Sequence, residues 1–227
     1  MMHIAILTGA GTSAESGLGT FRDKDGLWTQ YDLNDVATPD GFARDPALVQ
    51  GFYNARRANC ISAAPNAAHT ALARLELQSD HDITLITQNI DDLHERAGSP
   101  DVIHMHGELM RALCARCDAR WDAPPVMDAD DPCPHCGHNA TRPDVVWFGE
   151  IPYHMDRILE QVRAADLFVA IGTSAEVYPA AGLVEIAQGE TLEINLEPST
   201  RAHVFDSRRI GPATQTVPAW VAELTGA

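Results

Sequence analysis

Four of the five cysteines in this chain form two CxxC pairs. Cys114 and Cys117 are the first pair, and Cys133 and Cys136 follow after a gap of 15 residues. Four thiolates at this spacing suit tetrahedral coordination of zinc, and a shell filled by protein ligands leaves no position for water or substrate. Two redox dithiols are the alternative, but neither pair opens a helix after a strand, as a thioredoxin-like motif would. We therefore predict one structural Zn²⁺.

A glycine-containing segment follows the first apolar run. Its sequence GAGTSA, Gly9 to Ala14, fits the GxGxxG/A fingerprint of dinucleotide-binding proteins, in which glycines let backbone amides approach a pyrophosphate. The acidic residue that this fingerprint places about 20 positions later is missing, because no second strand is predicted that early. The fingerprint alone leaves two interpretations open, a nucleotide site and a tight structural turn.

Polar side chains that could act in catalysis follow a later apolar run. Asn89 and Asp91 lie just beyond the predicted strand Ile83–Thr87, where open parallel sheets place ligand groups, although helix capping would also explain either residue. His104 and His106 come next, and an imidazole titrating near pH ~6.5 can serve as a general base at neutral pH. In an extended segment these two histidines point in opposite directions, so only one would face a given site.

The pattern of apolar runs predicts the elements that position these groups. Strand-length runs alternate with helical stretches, which is typical of a parallel sheet with helices on both faces. The predicted strands are His3–Thr8, Ile83–Thr87, Leu167–Ile171 and Leu192–Leu196. The predicted helices are Ala47–Cys60, which Asp45 and Pro46 open, and Ala67–Leu77, Asp91–Ala97, Met155–Ala165, Pro179–Gln188 and Ala219–Leu224.

The length of 227 residues fits one main domain with insertions. No convincing strand is predicted between Gly11 and Asp82, which indicates a helical insertion, and the paired cysteines mark a second one. The predicted fold class is α/β. It has a Rossmann-like parallel sheet formed by about residues 1–20, 80–111 and 143–227, a helical insertion at about 20–80 and a small zinc-ribbon module at about 112–142.

Charge and cysteine usage narrow the function classes. The chain has 32 Asp and Glu against 16 Lys and Arg, and a net charge of -16 argues against a protein that tracks nucleic-acid phosphates. The N-terminal apolar run is too short for a membrane span and has no basic leader. Paired cysteines without secretory features indicate metal binding rather than disulfides. We expect a soluble, cytoplasmic protein without nucleic-acid or membrane partners.

Six blocks of sequence, in the same order along the chain, resemble motifs of the sirtuin family. The first, GAGTSAESGLGTFRDKDGLW from Gly9 to Trp28, resembles the family's cofactor-binding loop. The others are TQNIDDLHERAG (Thr87–Gly98), IHMHGEL (Ile103–Leu109), VVWFGE (Val145–Glu150), AIGTS (Ala170–Ser174) and INLEPS (Ile194–Ser199). The resemblance covers nearly the whole chain. It implies a single sirtuin-type deacetylase domain over residues 1–227, with NAD as co-substrate and acylated-lysine proteins or peptides as partners.

The resemblance also implies site residues. His106, in the HGEL motif, matches the family's general base, and Asn89 and Asp91 match its catalytic polar residues near the nicotinamide ribose. An acyl-lysine peptide would lie as an added strand beside Val146, Trp147, Phe148 and Gly149. The implied cofactor-binding residues are Gly9, Ala10, Gly11, Thr12, Ser13, Ala14, Glu15, Phe21, Arg22, Trp28, Gln88, Asn89, Asp91, Gly172, Thr173, Ser174, Asn195, Leu196, Glu197 and Ala213.

The segment GFYNARR, Gly51 to Arg57, bears on the substrate class. Tyr53 and Arg56 are three positions apart and share a helix face, whereas Arg57, four positions from Tyr53, is a geometric competitor. A guanidinium paired with a phenol hydroxyl can bind a carboxylate through charge-assisted contacts that an acetyl group does not make. In class III sirtuins this YxxR spacing selects succinyl, malonyl and glutaryl lysine. Without the resemblance, an arginine on a solvated helix face is the alternative.

The implied reaction transfers the acyl group from lysine to ADP-ribose. The acyl oxygen attacks the anomeric carbon and expels nicotinamide, His106 activates a ribose hydroxyl, and water releases lysine and O-acyl-ADP-ribose. Two other functions stay open. Mono-ADP-ribosyl transfer would use the same NAD site and label protein without acyl-lysine turnover, and a non-catalytic NAD-responsive binding module would not need a general base.

Overall fold

The computed structural model describes residues 1–19 and 31–226. Within that part of the chain the strands are β1 (His3–Thr8), β2 (Asp82–Thr87), β3 (Val102–His104), β4 (Gly107–Cys114), β5 (Arg120–Asp122), β6 (Thr141–Val145), β7 (Leu167–Ile171), β8 (Glu190–Asn195) and β9 (Ser207–Ile210). The α-helices are α1 (Ala10–Ala14), α2 (Leu33–Val36), α3 (Pro39–Arg44), α4 (Pro46–Ser62), α5 (Ala67–Gln78), α6 (Leu93–Ala97), α7 (Met155–Ala164), α8 (Leu183–Ile186) and α9 (Ala213–Thr225).

Six strands form one parallel sheet in the order β3-β2-β1-β7-β8-β9. Alternate residues of β1 enter different hydrophobic clusters, because successive side chains of a strand point to opposite faces. Ile4 and Ile6 pack in the cluster that includes residues of α5 and α9. Ala5 and Leu7 pack in the cluster that includes residues of α7 and α8. Helices therefore cover both faces, which confirms the predicted α/β architecture.

The helical insertion is anchored by the long helix α4. Its N-terminus is as predicted, since the Asp45 side chain accepts a hydrogen bond of 2.9 Å from the backbone N–H of Leu48 and Pro46 occupies the first helical position. Phe52 and Tyr53 of this helix are almost fully buried in a third hydrophobic cluster, together with residues of α2, β4 and β6. This face of α4 therefore holds the helical insertion against β4 and β6.

A second, antiparallel sheet carries the order β5-β4-β6 and extends from Gly107 to Val145. Its strands were not predicted, and neither were β3 and β9. Strands β3, β5 and β9 are only three or four residues long, and charged residues interrupt the apolar pattern of β4 and β6 that would identify a strand. Helix α9 begins at Ala213 rather than Ala219 and contains Pro218. Burial of Val217 and Trp220 against the sheet offsets the backbone hydrogen bond that proline removes.

A further difference concerns the length of one predicted helix. The predicted helix Pro179–Gln188 is a 3₁₀ turn at Ala180–Gly182 followed by the single helical turn α8. Among the helices of residues 1–19 and 31–226, none is long and apolar enough to cross a membrane.

Candidate functional site

The predicted catalytic residues and the described segments predicted to bind the cofactor lie at one edge of the parallel sheet, where the carboxyl ends of the strands lie. The loop after β1 begins at Gly9, the loop after β2 carries Asn89, and His106 follows β3. Thr173 follows β7, and Asn195 ends β8. The topology therefore brings together segments that are far apart in sequence. Phe21, Arg22 and Trp28 lie outside the described residues.

The loops after β1 and β7 pack backbone against backbone. Gly9 N donates to Ile171 O at 2.9 Å, and Gly11 N donates to Gly172 O at 2.8 Å. A Cβ at Gly9 would lie 2.8 Å from Gly172 O, and one at Gly11 would lie 2.8 Å from Gly172 Cα. Gly172 itself has a φ of +62°. These glycines are therefore required for the contact between the two loops, whatever ligand binds beside them.

A buried network of hydrogen bonds lies beneath the β1 loop. Asn89 Nδ2 donates to Ser13 Oγ at 3.1 Å, and Ser13 Oγ donates to Asp91 Oδ2 at 3.0 Å. All three side chains are at most 8% exposed. Burial raises the pKa of Asp91, while hydrogen bonds from Leu93 N and Ser13 lower it. The network fixes the orientation of two of the three predicted catalytic residues.

His69 on α5 belongs to the same network and was missed by the sequence analysis. Its Nδ1 accepts from Asn66 N at 3.2 Å, so Nε2 carries the proton and donates to Ser13 Oγ at 3.3 Å. Burial lowers the pKa of His69 to about 4, which keeps the ring neutral. In sequence it is one histidine on the apolar face of a helix, and nothing there signals contact with a residue 56 positions away.

His106 has the tautomer that a general base needs. Its Nδ1 lies 3.0 Å from the carbonyl oxygen of Gln88, which only accepts, so Nδ1 carries the proton and Nε2 is the basic nitrogen. Burial lowers the pKa of His106, and the hydrogen bond to Gln88 opposes this effect. The ring is therefore neutral at pH 7 and can accept a proton.

His104 has a different environment. Its Nδ1 lies 3.3 Å from Asn89 O and its Nε2 lies 2.6 Å from Glu95 Oε1. Burial acts to lower the pKa of His104, but the hydrogen bond with Glu95 and its charge outweigh burial and raise the pKa. Both ring nitrogens are occupied, so His104 supports the loop and is unsuited to act as a base.

The segments after β7 and β8 are joined through Thr173. Gln88 Nε2 donates to Thr173 Oγ1 at 3.0 Å, and Asn195 Nδ2 donates to Thr173 O at 2.7 Å. Leu196 and Glu197 are exposed beyond Asn195. Hydrogen bonds therefore link the three predicted cofactor segments that follow β2, β7 and β8.

Glu15 makes a contact that the sequence did not indicate. Its carboxylate accepts hydrogen bonds from Thr214 N at 2.9 Å and from Thr214 Oγ1 at 2.7 Å. Ala213, another predicted cofactor residue, is the first residue of α9 and precedes Thr214. This pair of bonds ties the loop after β1 to the start of α9.

Tyr53 and Arg56 share a face of α4, as predicted from their spacing. Tyr53 is 1% exposed, and its hydroxyl accepts a hydrogen bond of 2.9 Å from Trp147 Nε1. The guanidinium carbon of Arg56 lies 5.7 Å from the ring centroids of both Phe52 and Tyr53. Burial lowers the pKa of Arg56, and the charges of Tyr53 and Asp91 oppose this effect. The arginine is therefore close to both the phenol and the Asp91 network.

Arg57 is directed away from this face and is 0% exposed. Its guanidinium donates to Leu109 O at 3.1 Å, to Asn54 Oδ1 at 2.8 Å, to Pro125 O at 3.5 Å and to Met127 Sδ at 3.3 Å. These contacts hold α4 against β4 and the segment that follows β5. Arg57 is thus a structural residue and not a second candidate for acyl binding.

We expect Arg57→Met to destabilise the fold by about 1–3 kcal/mol, because two of the acceptors that it leaves belong to the buried residues Leu109 and Met127. Thermal unfolding monitored by circular dichroism measures the effect. The matched variant Arg74→Met, on an exposed position of α5, should leave the melting temperature nearly unchanged. Equal melting temperatures for the two variants would contradict the structural role of Arg57.

The VVWFGE segment runs from the end of β6 past His106. Val146 N donates to His106 O at 2.9 Å, and Phe148 N donates to Ala37 O at 2.9 Å. Phe148 is 46% exposed, and the exposed Gly149 has a φ of +91°. The segment is thus fixed at two points and presents Phe148 and Gly149 to solvent beside the sheet edge.

The four paired cysteines form a cluster whose sulfur atoms all lie within 4.8 Å of one another. The Sγ atoms of Cys114 and Cys136 are 3.7 Å apart, and those of Cys117 and Cys133 are 3.8 Å apart. A zinc ion with four Zn–S bonds of about 2.3 Å at tetrahedral angles requires sulfur separations of about 3.8 Å. The cluster therefore fits a tetrahedral Zn²⁺.

We expect the purified reduced protein to contain close to one zinc per chain and Cys133→Ser to lose metal and thermal stability, because structural zinc contributes directly to folding. Metal analysis and thermal unfolding measure both effects. Cys60→Ser, outside the cluster, should keep the zinc content. A metal-free wild-type protein would show that the cluster does not hold zinc.

Comparisons with known proteins agree with this geometry. The model of the Sir2 family matches residues 9–179. An NAD-dependent protein deacylase of Caulobacter vibrioides is 59% identical over 99% of this chain and 97% of its own length. An NAD-dependent protein deacylase of Escherichia coli strain K12 is 51% identical, over 98% of this chain and 82% of its own length.

Solved structures of Sir2 proteins also resemble this chain. A Sir2 homologue in complex with NAD superposes with a TM-score of 0.87 at 40% identity, covering 97% of this chain and 88% of that one. A Sir2 protein bound to an acetylated peptide superposes with a TM-score of 0.82 at 29% identity, covering 98% and 93%. The fold, the edge on which the polar network lies and the sequence matches agree, and the chain belongs to the Sir2 family.

Proposed function

We propose that this protein is an NAD-dependent protein-lysine deacylase that transfers the acyl group to ADP-ribose and releases nicotinamide and free lysine. One observation carries the proposal. His106 has Nε2 as its basic nitrogen and lies on the sheet edge that also holds the buried Ser13–Asp91 hydrogen bond. Relatives that are 51–59% identical are named NAD-dependent protein deacylases.

In this proposal the NAD-binding edge combines the loop after β1 with the residues after β2, β7 and β8. Asn89 and Asp91 would hold the nicotinamide end, and Thr173 and Asn195 would hold the adenosine end. NAD supplies the ADP-ribose that accepts the acyl group. His106 Nε2 accepts a proton from a ribose hydroxyl, and the buried surroundings that keep the ring neutral favour that role. The chain thus contributes mainly orientation and a well-placed base.

The acyl groups that we propose are acetyl and the acidic groups succinyl, malonyl and glutaryl. A carboxylate at the end of the acyl chain would meet the Arg56 guanidinium and the Tyr53 hydroxyl. Tyr53 is buried and Arg56 is partly buried. Such a contact is stronger there than in water, because charge-assisted hydrogen bonds gain strength away from water. Arg57 does not compete, since its four hydrogen bonds hold the protein together.

The peptide that carries the acyl-lysine would lie along Val146–Gly149 as an added strand. The segment is held through Val146 N and Phe148 N, and the outer side of Phe148 and Gly149 faces solvent. The proposed partners are therefore acylated-lysine proteins or peptides in the cytoplasm. The net charge of -16 disfavours a nucleic-acid partner.

A mass-spectrometric assay tests this function. One lysine peptide is prepared in acetyl, malonyl and succinyl forms and incubated with the protein, with and without NAD. We expect NAD-dependent loss of the acyl group with matching amounts of O-acyl-ADP-ribose. Labelled ADP-ribose on protein without acyl-lysine turnover would indicate a mono-ADP-ribosyltransferase instead, and NAD binding without either product would indicate a binding module.

A further inference from the structure

The hydrogen bond between Trp147 and Tyr53 constrains the direction of the tyrosine proton. The two side chains are 3% and 1% exposed, and Trp147 Nε1 lies 2.9 Å from the Tyr53 oxygen. An indole N–H only donates, so the phenol oxygen must accept. The O–H proton of Tyr53 therefore takes no part in this bond and is left to donate to a second group.

The indole that imposes this direction is itself held firmly. The guanidinium carbon of Arg142 lies 3.4 Å from the Trp147 ring centroid, and the Phe42 ring lies 5.2 Å from it. Arg142 makes a two-pronged contact of 2.6 and 2.9 Å with Glu150. Glu150 Oε2 also accepts from Trp147 N at 2.8 Å. The pair of buried Arg142 and partly exposed Glu150 thus fixes both the ring and the backbone of Trp147.

We propose that Trp147 is a positioning residue for acidic-acyl recognition. Its indole N–H occupies an acceptor position of the Tyr53 hydroxyl and leaves the O–H proton to donate to an acyl carboxylate beside Arg56. The inference rests on the proposed function and deepens it. It gives the VVWFGE segment a second role, because a residue next to the peptide strand also sets the acyl class. An acetyl group has no carboxylate to receive that proton, so its turnover does not depend on this orientation.

Two variants remove the N–H donor and keep an aromatic ring at this position. They are Trp147→Phe and replacement of Trp147 by benzothienylalanine, in which sulfur takes the place of the N–H in a ring system of nearly the same size. The readout is the ratio of kcat/KM for succinyl-lysine to kcat/KM for acetyl-lysine on one peptide. Both variants should lower this ratio by about 3- to 10-fold, through KM for the succinyl substrate, as expected for one neutral hydrogen bond. General damage to the proposed peptide-binding segment Val146–Gly149 affects both substrates and cancels in the ratio.

A double-mutant cycle separates positioning from packing. Tyr53→Phe already removes the hydroxyl proton that would bind the acyl carboxylate. In that background, removing the Trp147 indole N–H should change the ratio by less than about twofold. Trp121→Phe, on β5 in the cysteine-bearing sheet, is the control and should leave the ratio unchanged. An unchanged ratio in both Trp147 variants, or effects that multiply with Tyr53→Phe, would overturn the inference. A wild-type enzyme that removes acetyl but no succinyl groups would instead contradict the proposed acyl class, and this inference with it.

Discussion

His106→Ala should lower kcat/KM for deacylation by about 100- to 10,000-fold, the usual contribution of a general base. The variant loses Nε2, the basic nitrogen that the Gln88 carbonyl defines by binding the Nδ1 proton. NAD binding, measured by calorimetry, and the melting temperature should change little, because the other predicted cofactor segments keep their own hydrogen bonds. Steady-state rates on an acetyl-lysine peptide measure the loss.

A histidine outside the site provides the matched control. His203, which is exposed in the 3₁₀ turn Ala202–Val204, can be changed to alanine and should leave the rate unchanged. A folded, NAD-binding His106→Ala protein with a near-normal rate would remove His106 from the mechanism.

The pH profile gives an independent check on His106. A general base works when unprotonated, so the rate should rise with pH through the pKa of His106 and level off above it. Burial lowers this pKa from its ordinary value, so the rise should lie below pH ~6.5 and the plateau should already be reached at neutral pH. A rise centred above neutral pH would assign the limiting proton transfer to another group.

Arg56→Met should separate the acetyl and succinyl substrates that we propose for this enzyme. Removing the guanidinium deprives succinyl-lysine of a charge-assisted contact that acetyl-lysine never makes, and truncating one partner of such a pair costs about 2–5 kcal/mol. We expect kcat/KM for succinyl-lysine to fall about 30-fold or more, which corresponds to this free-energy cost. The kcat/KM for acetyl-lysine should fall far less. Tyr53→Phe should change the same ratio more weakly, because it removes one neutral donor.

Control variants make the Arg56 result specific. Arg74→Met makes the same change of charge on α5 and should leave the ratio between substrates unchanged. Arg56→Lys keeps the charge but not the two-pronged geometry and should fall between wild type and Arg56→Met. Equal losses on both substrates in Arg56→Met would indicate a damaged helix and not a lost acyl contact.

The sequence was sufficient for features that depend on local spacing. Two CxxC pairs predicted a four-thiolate cluster, and the structure places the sulfur atoms within 4.8 Å of one another. Apolar runs of strand length predicted β1, β2, β7 and β8, because a strand buried on both faces is apolar along its whole length. Ordered motif blocks predicted the family, and the family match over residues 9–179 confirms it. The short, charged strand β9 gave no such local signal.

Only the tertiary structure distinguished residues whose local patterns are alike. Arg56 and Arg57 are adjacent on one helix, and helical periodicity indicates which positions share a face but not what that face packs against. The structure packs Arg57 against Leu109 and Met127 and leaves Arg56 beside Tyr53. His69 joins the Ser13 network across 56 positions, and Trp147 reaches Tyr53 across 94. Such contacts form only when separate elements pack on a common core, so the roles of these side chains depend on the whole fold.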